Sequence, residues 1–376
     1  MMKRMNIIRT TIIRALYAGM LCSLVPFSSC SDDGGLPPSG HPEDGQTFVL
    51  EYTLPDTQAE ASAVTYAASY VPSANEYENR VDKLHLLFFV QDDHGNGIFA
   101  GILQGTLEGG SIEKTGSVTV SLSGGISNST DYNVLVLANA HKYFSSDSEL
   151  TAFCQSRTEN TVRLLLQAQL PTVDSRHYKI PDNLLLMSGT AVKQAGKDMK
   201  VDLLRAAVRI DVKIADDKTG EYELLGATIR NASPRIPLFS SLSDLEFVPL
   251  GLNTVVSATD GTLIKGGMYL PETLRTGLDD LALRDKQSAC VLVSCKKKSY
   301  SGNRTWYRVD LCLGDDGVQY LRRNNAYMVI ISNIKGLGVT SPDDAYADDD
   351  NLLNSVTIPV EWETPSGVRP PEVDIN

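Results

Sequence analysis

Histidine is scarce in this 376-residue sequence, with five copies at positions 41, 85, 94, 141 and 177, and no two lie close enough to suggest a local metal or acid-base pair. There is also no nucleophile elbow, no phosphate-cradling glycine loop and no zinc-protease helix. These absences remove the motif-bearing enzyme classes. Absence of motifs does not exclude every enzyme, because a glycosidase needs only two carboxylates distant in sequence. The reading adopted is therefore non-enzymatic, with no cofactor and no metal. The acidic runs Asp343-Asp344 and Asp348-Asp349-Asp350 lack the spaced ligands and distal glutamate of a calcium loop and read as solvated. Aromatic residues make up 7% of the chain, and only Trp306 and Trp362 offer indole platforms, which argues against a sugar-binding face. Beyond the opening segment no apolar run approaches the roughly twenty residues needed to cross a bilayer.

The opening segment itself is distinctive. Lys3, Arg4, Arg9 and Arg14 lead into an apolar stretch that ends at Phe27-Ser28-Ser29-Cys30, the layout of a secretory signal with small residues before a cysteine. Either Cys30 is acylated and becomes the first residue, or cleavage falls nearby and Cys30 is a bystander. On the lipid reading residues 1–29 are removed and acyl chains anchor residue 30, at about 0.8 kcal/mol per buried methylene. Losing four positive charges and no negative one takes the net charge from -12 to -16. A chain that acidic is a poor partner for nucleic acid or anionic headgroups.

Four further cysteines, Cys154, Cys290, Cys295 and Cys312, match no zinc or redox spacing. Cys295 and Cys312 flank a hairpin turn at Ser301-Gly302-Asn303. A cross-strand disulfide and buried free thiols are both compatible with that spacing.

Residues 30–46, rich in Asp, Gly, Pro and Ser, read as a flexible tether. The first strand follows at 47–54, where Phe48, Leu50, Tyr52 and Leu54 share one face with period two. A polar connection over 56–79 leads to a strong strand at 81–90, containing His85 as a packed residue, and a turn at 92–97. Further strands are expected at 117–123, 132–138, 200–214, 223–231, 289–296, 305–313, 326–334 and 355–362. Helix is expected only at 147–157, capped by Ser146 or Asp147. Many short strands with one or two short helices indicate an all-β chain of β-sandwich domains. In 208–214 the apolar residues Val208, Ile210, Val212 and Ile214 alternate with charge, so one sheet face is expected to be wet. The turn at 215–220 marks the preferred domain boundary, giving domains at 47–216 and 217–365 and a tail at 366–376.

Four segments in order resemble the fimbrillin family of surface-fibre subunits, also called type V pilins. They are Tyr132-Asn-Val-Leu-Val-Leu-Ala-Asn139, Leu204-Arg-Ala-Ala-Val-Arg-Ile-Asp-Val212, Leu321 to Gly338 with its Arg-Arg-Asn-Asn core, and Val356-Thr-Ile-Pro-Val-Glu-Trp362. The resemblance implies two tandem transthyretin-like β-sandwich domains and export as a surface lipoprotein of the outer membrane, and Ser31-Asp32-Asp33 resembles an acidic surface-export tag. It implies assembly with other fimbrial subunits into an adhesive fimbrium that meets a host or bacterial surface ligand. It also implies strand exchange, in which a protease removes the first strand and the groove accepts a C-terminal strand from another subunit.

The residues bear on that scheme independently. Residues 15–79 contain no Lys or Arg, so Arg80 is the first site after Cys30 open to an arginine-specific protease, which would cut between Arg80 and Val81. Arg80 is alternatively a charged residue preceding a strand. Val356, Ile358, Val360 and Trp362 repeat the pattern of Phe48, Leu50, Tyr52 and Leu54, so either strand suits one row of pockets. Pro359 cannot donate a ladder hydrogen bond, which fits a donor or a plain terminal edge strand.

Overall fold

The computed structural model describes residues 46–54, 70–71, 76–239, 250–278, 287–311, 317–347 and 353–362, the last of these by backbone alone. Cys30, Cys312, Asp348 to Asp350, the tail at 366–376 and most of the tether lie outside the described residues.

In chain order the first strands are β1 (Thr47–Thr53), β2 (Tyr70–Val71), β3 (Val81–Gln91), β4 (Gly97–Ser111), β5 (Thr115–Ser121) and β6 (Tyr132–Ala138). Helices α1 (Asp147–Gln155) and α2 (Glu159–Leu165) follow. Next come β7 (Gln167–Gln169), β8 (His177–Tyr178), β9 (Met187–Lys193), β10 (Met199–Asp202), β11 (Leu204–Arg205) and β12 (Val208–Ile214). The second half holds β13 (Tyr222–Arg230), β14 (Arg235–Pro237), β15 (Gly251–Leu252), β16 (Val256–Ser257), β17 (Leu263–Ile264) and β18 (Tyr269–Leu270). It continues with β19 (Thr273–Arg275), β20 (Cys290–Lys297), β21 (Trp306–Asp310), β22 (Gln319–Leu321), β23 (Asn325–Ile334), α3 (Pro342–Ala347) and β24 (Leu353–Trp362).

These strands build two β-sandwiches. In the first, the sheet β10-β1-β5 faces the sheet β11-β9-β6-β3-β4. In the second, β17-β12-β23-β24-β2 is matched with β16-β13-β20-β21. The long apolar runs of β3 and β6 follow from burial on both faces. Leu84, Leu86 and Phe88 point into the first sandwich with Val134 and Val136, while Leu87 and Phe89 point outward with Leu135 and Leu137. That outward face is covered by Leu150 and Cys154 of α1 and Val162 of α2, and its core continues into the second sandwich through Ile210, Ile229 and Val291. Ser146 caps α1 and Thr158 caps α2, each accepting a main-chain N–H of the first turn.

Three sequence expectations change, the first being the helices: α1 ends at Gln155, and α2 and α3 form where no helix was expected. The stretch 200–214, read as one strand, is three: β10 pairs with β1, β11 with β9 and β12 with β23, so the chain crosses from the first sandwich to the second between Arg205 and Val208. Sheet membership thus puts β12 with the C-terminal strands, ahead of the turn at 215–220. The charged face of β12 is not wet. Arg209 and Asp211 are fully buried because β12 is an interior strand whose charges pair with each other and with Glu78. Of the two cysteine readings, the cross-strand disulfide is not formed: Cys295 is a free thiol, and its N–H donates to Thr305 O at 2.9 Å. Cys154, Cys290 and Cys295 are buried free thiols.

The remaining flagged groups are occupied locally. His85 is buried in β3, with Nε2 3.0 Å from Asp147 Oδ1. Asp343 pairs with Arg230, and Asp344 accepts from the Thr340 hydroxyl while its own N–H donates to Ser341 Oγ. No cluster of three candidate metal ligands and no helix long and apolar enough to cross a membrane occurs among the described residues.

Candidate functional site

β1 is a central strand, not an edge. It runs antiparallel to β5, with Thr47 opposite Ser121 and Thr53 opposite Thr115, and parallel to β10, with Leu50 opposite Met199 and Thr53 opposite Asp202. Further bonds fix its ends. The Leu122 N–H donates to Gln46 O, the Leu54 N–H to Lys114 O and the Leu203 N–H to Thr53 O, at 2.7–2.8 Å. All four inward side chains are buried: Phe48 is 3% exposed, Leu50 0%, Tyr52 1% and Leu54 1%. Outward residues Glu51 and Thr53 face solvent, as period two requires.

The groove beneath β1 is shaped to these side chains. The Phe48 ring meets Phe88 edge-on at 6.4 Å, and Phe88 meets Tyr132 at 5.4 Å, both favourable aromatic geometries. Lys193 Nζ lies 5.2 Å from the Phe48 ring while donating to Asn128 Oδ1 at 2.9 Å, and burial lowers its pKa against the pull of Asp198 and Asp131. Opposite Tyr52 stands Gly116, where any β-carbon would collide with the Tyr52 ring. Burial pushes the Tyr52 phenol above its ordinary pKa, so it stays neutral in the groove.

The junction at Arg80 and Val81 is clamped. Glu76–Asn79 form a 3-10 turn, and Arg80 N–H donates to Tyr77 O at 3.2 Å. The Arg80 side chain is one-third exposed and bonds Asp82 Oδ1 at 2.7 Å. Val81 is fully buried at the head of β3. Asn139, wholly buried with φ 64°, ties the junction together. Its Nδ2 donates to Arg80 O at 2.8 Å and to Leu185 O at 2.9 Å, while its Oδ1 accepts from Asp82 N at 2.9 Å. Asparagine suits this position because it tolerates the left-handed backbone and supplies both donor and acceptor. The bond after Arg80 is therefore not in an exposed loop tip, and a protease would need local opening to reach it.

The candidate donor residues Val356, Ile358, Val360 and Trp362 lie in β24. β24 pairs antiparallel with β23 along its length, Ile358 opposite Met328 and Val360 opposite Ala326, and parallel with the two residues of β2. It is docked in its own chain, away from the groove that β1 fills. Candidate donor and candidate acceptor are thus both present and both occupied.

The sequence reading missed Asn139 and a buried charge cluster centred on Arg205 and Arg209. Arg205 to Asp211 sat inside a quoted family-like segment, yet charge alternation alone does not tell a wet face from a paired, buried one.

The sequence matches no family model and no curated protein. The fold does have solved counterparts. The tip fimbrial protein Mfa3 from Porphyromonas gingivalis, with a C-terminal truncation, is 16% identical, with alignment over 84% of this chain and 100% of that one at a TM-score of 0.50. A candidate cell adhesion protein from Parabacteroides distasonis is 14% identical over 85% of this chain and 98% of that one, also at 0.50. The chain has the fimbrillin fold. At these identities the likeness is one of fold, and it agrees with the two sandwiches anticipated from strand spacing.

Proposed function

We propose that this chain is a subunit of a cell-surface fimbrium, exported as a lipoprotein through Cys30 and assembled by strand exchange to support adhesion. The observation that carries the reading is the seat of β1: a central strand at the N-terminal end of the fold, filling a groove with four side chains and followed by the first Arg of the exported chain. A fimbrial tip protein among the solved counterparts supports the same role.

In this reading a protease cuts between Arg80 and Val81, and the residues up to Arg80 leave with the lipid. The groove between β5 and β10 then takes Val356, Ile358, Val360 and Trp362 of another copy. The ladder β24 would leave on β23, β2 having gone with the removed piece, is similar in extent to the one β1 makes with β5 and β10. Backbone hydrogen bonding is then nearly neutral, and side-chain burial sets the direction, at roughly 1.5–3 kcal/mol for each fully buried apolar side chain.

A second reading, an anchor subunit that keeps its lipid and β1 in place, is favoured by the Asn139 clamp on the Arg80 junction. Electrophoresis of surface-extracted protein after graded heating separates the two. A ladder of heat-sensitive high-mass species is expected of an exchanging subunit, and a single band at every temperature would rule that role out. Retention on polysaccharide by a monomeric protein would point instead to a glycan-binding lipoprotein.

A further inference from the structure

The segment just before the proposed cut is held by more than strand pairing. Glu78 and Asn79 are 1% and 9% exposed. Glu78 Oε2 accepts from Arg209 Nη1 at 2.9 Å, and Glu78 Oε1 accepts from the Tyr269 hydroxyl at 2.6 Å. Arg205 Nε donates to the Glu78 carbonyl at 2.9 Å, and Arg205 Nη2 donates to Asn79 Oδ1. Every receiving group lies C-terminal to the cut. Arg205 and Arg209 are fully buried, and Asn324, at 3% exposure, accepts from Arg205 Nη1 at 3.0 Å while its own Nδ2 makes no hydrogen bond. Asp211 takes the other side of Arg209 at 3.1 Å and accepts from Gly266 N at 2.9 Å.

Charge counting gives this cluster its meaning. With Glu78 in place Arg209 lies between two carboxylates, Glu78 and Asp211; without it Arg209 keeps Asp211, and Arg209 Nη1 and the Tyr269 hydroxyl lose the acceptor that Glu78 gives them. Taking a buried donor's acceptor away costs about 1–3 kcal/mol, and more for a charged group, so the pocket favours an acidic occupant. The planar guanidinium groups, the phenol and the amide present donors matched to a carboxylate and to main-chain carbonyls.

We propose that Arg205, Arg209, Tyr269 and Asn324 form a built-in receptor for an acidic peptide segment, whose resident ligand is Glu78-Asn79 of the same chain. The piece ending at Arg80 then stays bound after the cut, with β1 still in its groove, until a competing segment displaces it. Cutting and exchange become separate events. The use of the receptor rests on the cleavage reading above, whereas the receptor itself belongs to the uncut chain.

Two measurements on the full chain test it. Purified protein is cut with an arginine-specific protease and followed by native mass spectrometry. The pieces on either side of Arg80 are expected to stay together, and in Glu78→Gln to separate about 10- to 100-fold faster, the factor for losing a hydrogen bond to a charged group. Tyr269→Phe leaves the charges paired but also removes a hydrogen bond to the Glu78 carboxylate, and is expected to accelerate separation by a similar factor. Immediate separation of the unsubstituted pieces, or equal rates in all three proteins, would overturn the proposal. Hydrogen exchange on uncut protein reads the receptor without any cleavage. Amides 78–82 are expected to exchange faster in Glu78→Gln by a similar factor, and unchanged exchange overturns the receptor. If the protease fails to cut at Arg80, the cleavage reading falls and the exchange result still decides the receptor.

Discussion

Truncating Leu50 to alanine probes the groove most sharply. Leu50 is fully buried, opposite Val118 on β5 and Met199 on β10, and both neighbours are fixed by backbone ladders. A site so held collapses little, so the loss belongs in the upper part of the usual range for leucine to alanine, about 3–5 kcal/mol. The matched control is Glu51→Ala on the opposite face. Glu51 pairs with Lys200 at 2.7 Å, but both side chains are at least half exposed, and such a pair is worth at most about 1 kcal/mol. Urea denaturation of the two variants reads the difference through midpoints at constant slope. The same truncation weakens the hold on β1 after cutting. If β1 has lost its contacts when the rate-limiting barrier is reached, about 3 kcal/mol speeds its departure, and so ladder formation, by about 10²-fold. Equal stabilities for Leu50→Ala and Glu51→Ala would refute the groove as described, and a stable Leu50→Ala protein that assembles more slowly than its parent would refute β1 as the strand that leaves.

Three further outcomes are expected. Asn139→Ala removes the clamp on the Arg80 carbonyl and the Asp82 N–H, so the protein should lose about 1–3 kcal/mol or more and be cut at Arg80 faster; an unchanged cleavage rate would contradict the clamp. Burial pushes the thiols of Cys154, Cys290 and Cys295 up to about 12, so at neutral pH none should alkylate in the folded protein and all three should alkylate in denaturant, as site-resolved mass spectrometry would show. Burial lowers the His85 pKa below its ordinary 6.5, so the unfolded chain binds the proton more readily; the stability this group gives is present above that value and is lost as pH falls below it. His85→Gln should flatten the acid-side fall in Tm, and an unchanged fall would exclude His85 as its source.

The strands were legible where burial follows a simple period. β1 alternates and is buried on one face, the runs 86–89 of β3 and 134–138 of β6 are continuously apolar and are buried on both, and Ser146 announces α1 by its capping chemistry. Short strands such as β8, β15 and β16 were not legible, because two residues carry no period and form only where a partner strand passes. β12 misled for a different reason: Arg209 and Asp211 alternate with apolar residues just as a solvated face would, and their partner Glu78 is distant in sequence. The junction was half legible. The stretch without basic residues singled out Arg80, but Asn139, which holds it, lies 59 positions away.

N-terminal sequencing with intact mass, on protein taken from the surface of its native host, addresses the central claim most directly. A chain beginning at Val81 is the expected result, with the lipid and β1 removed together. A chain that begins at an acylated Cys30 and still carries residues 46–80 would contradict strand exchange into this groove.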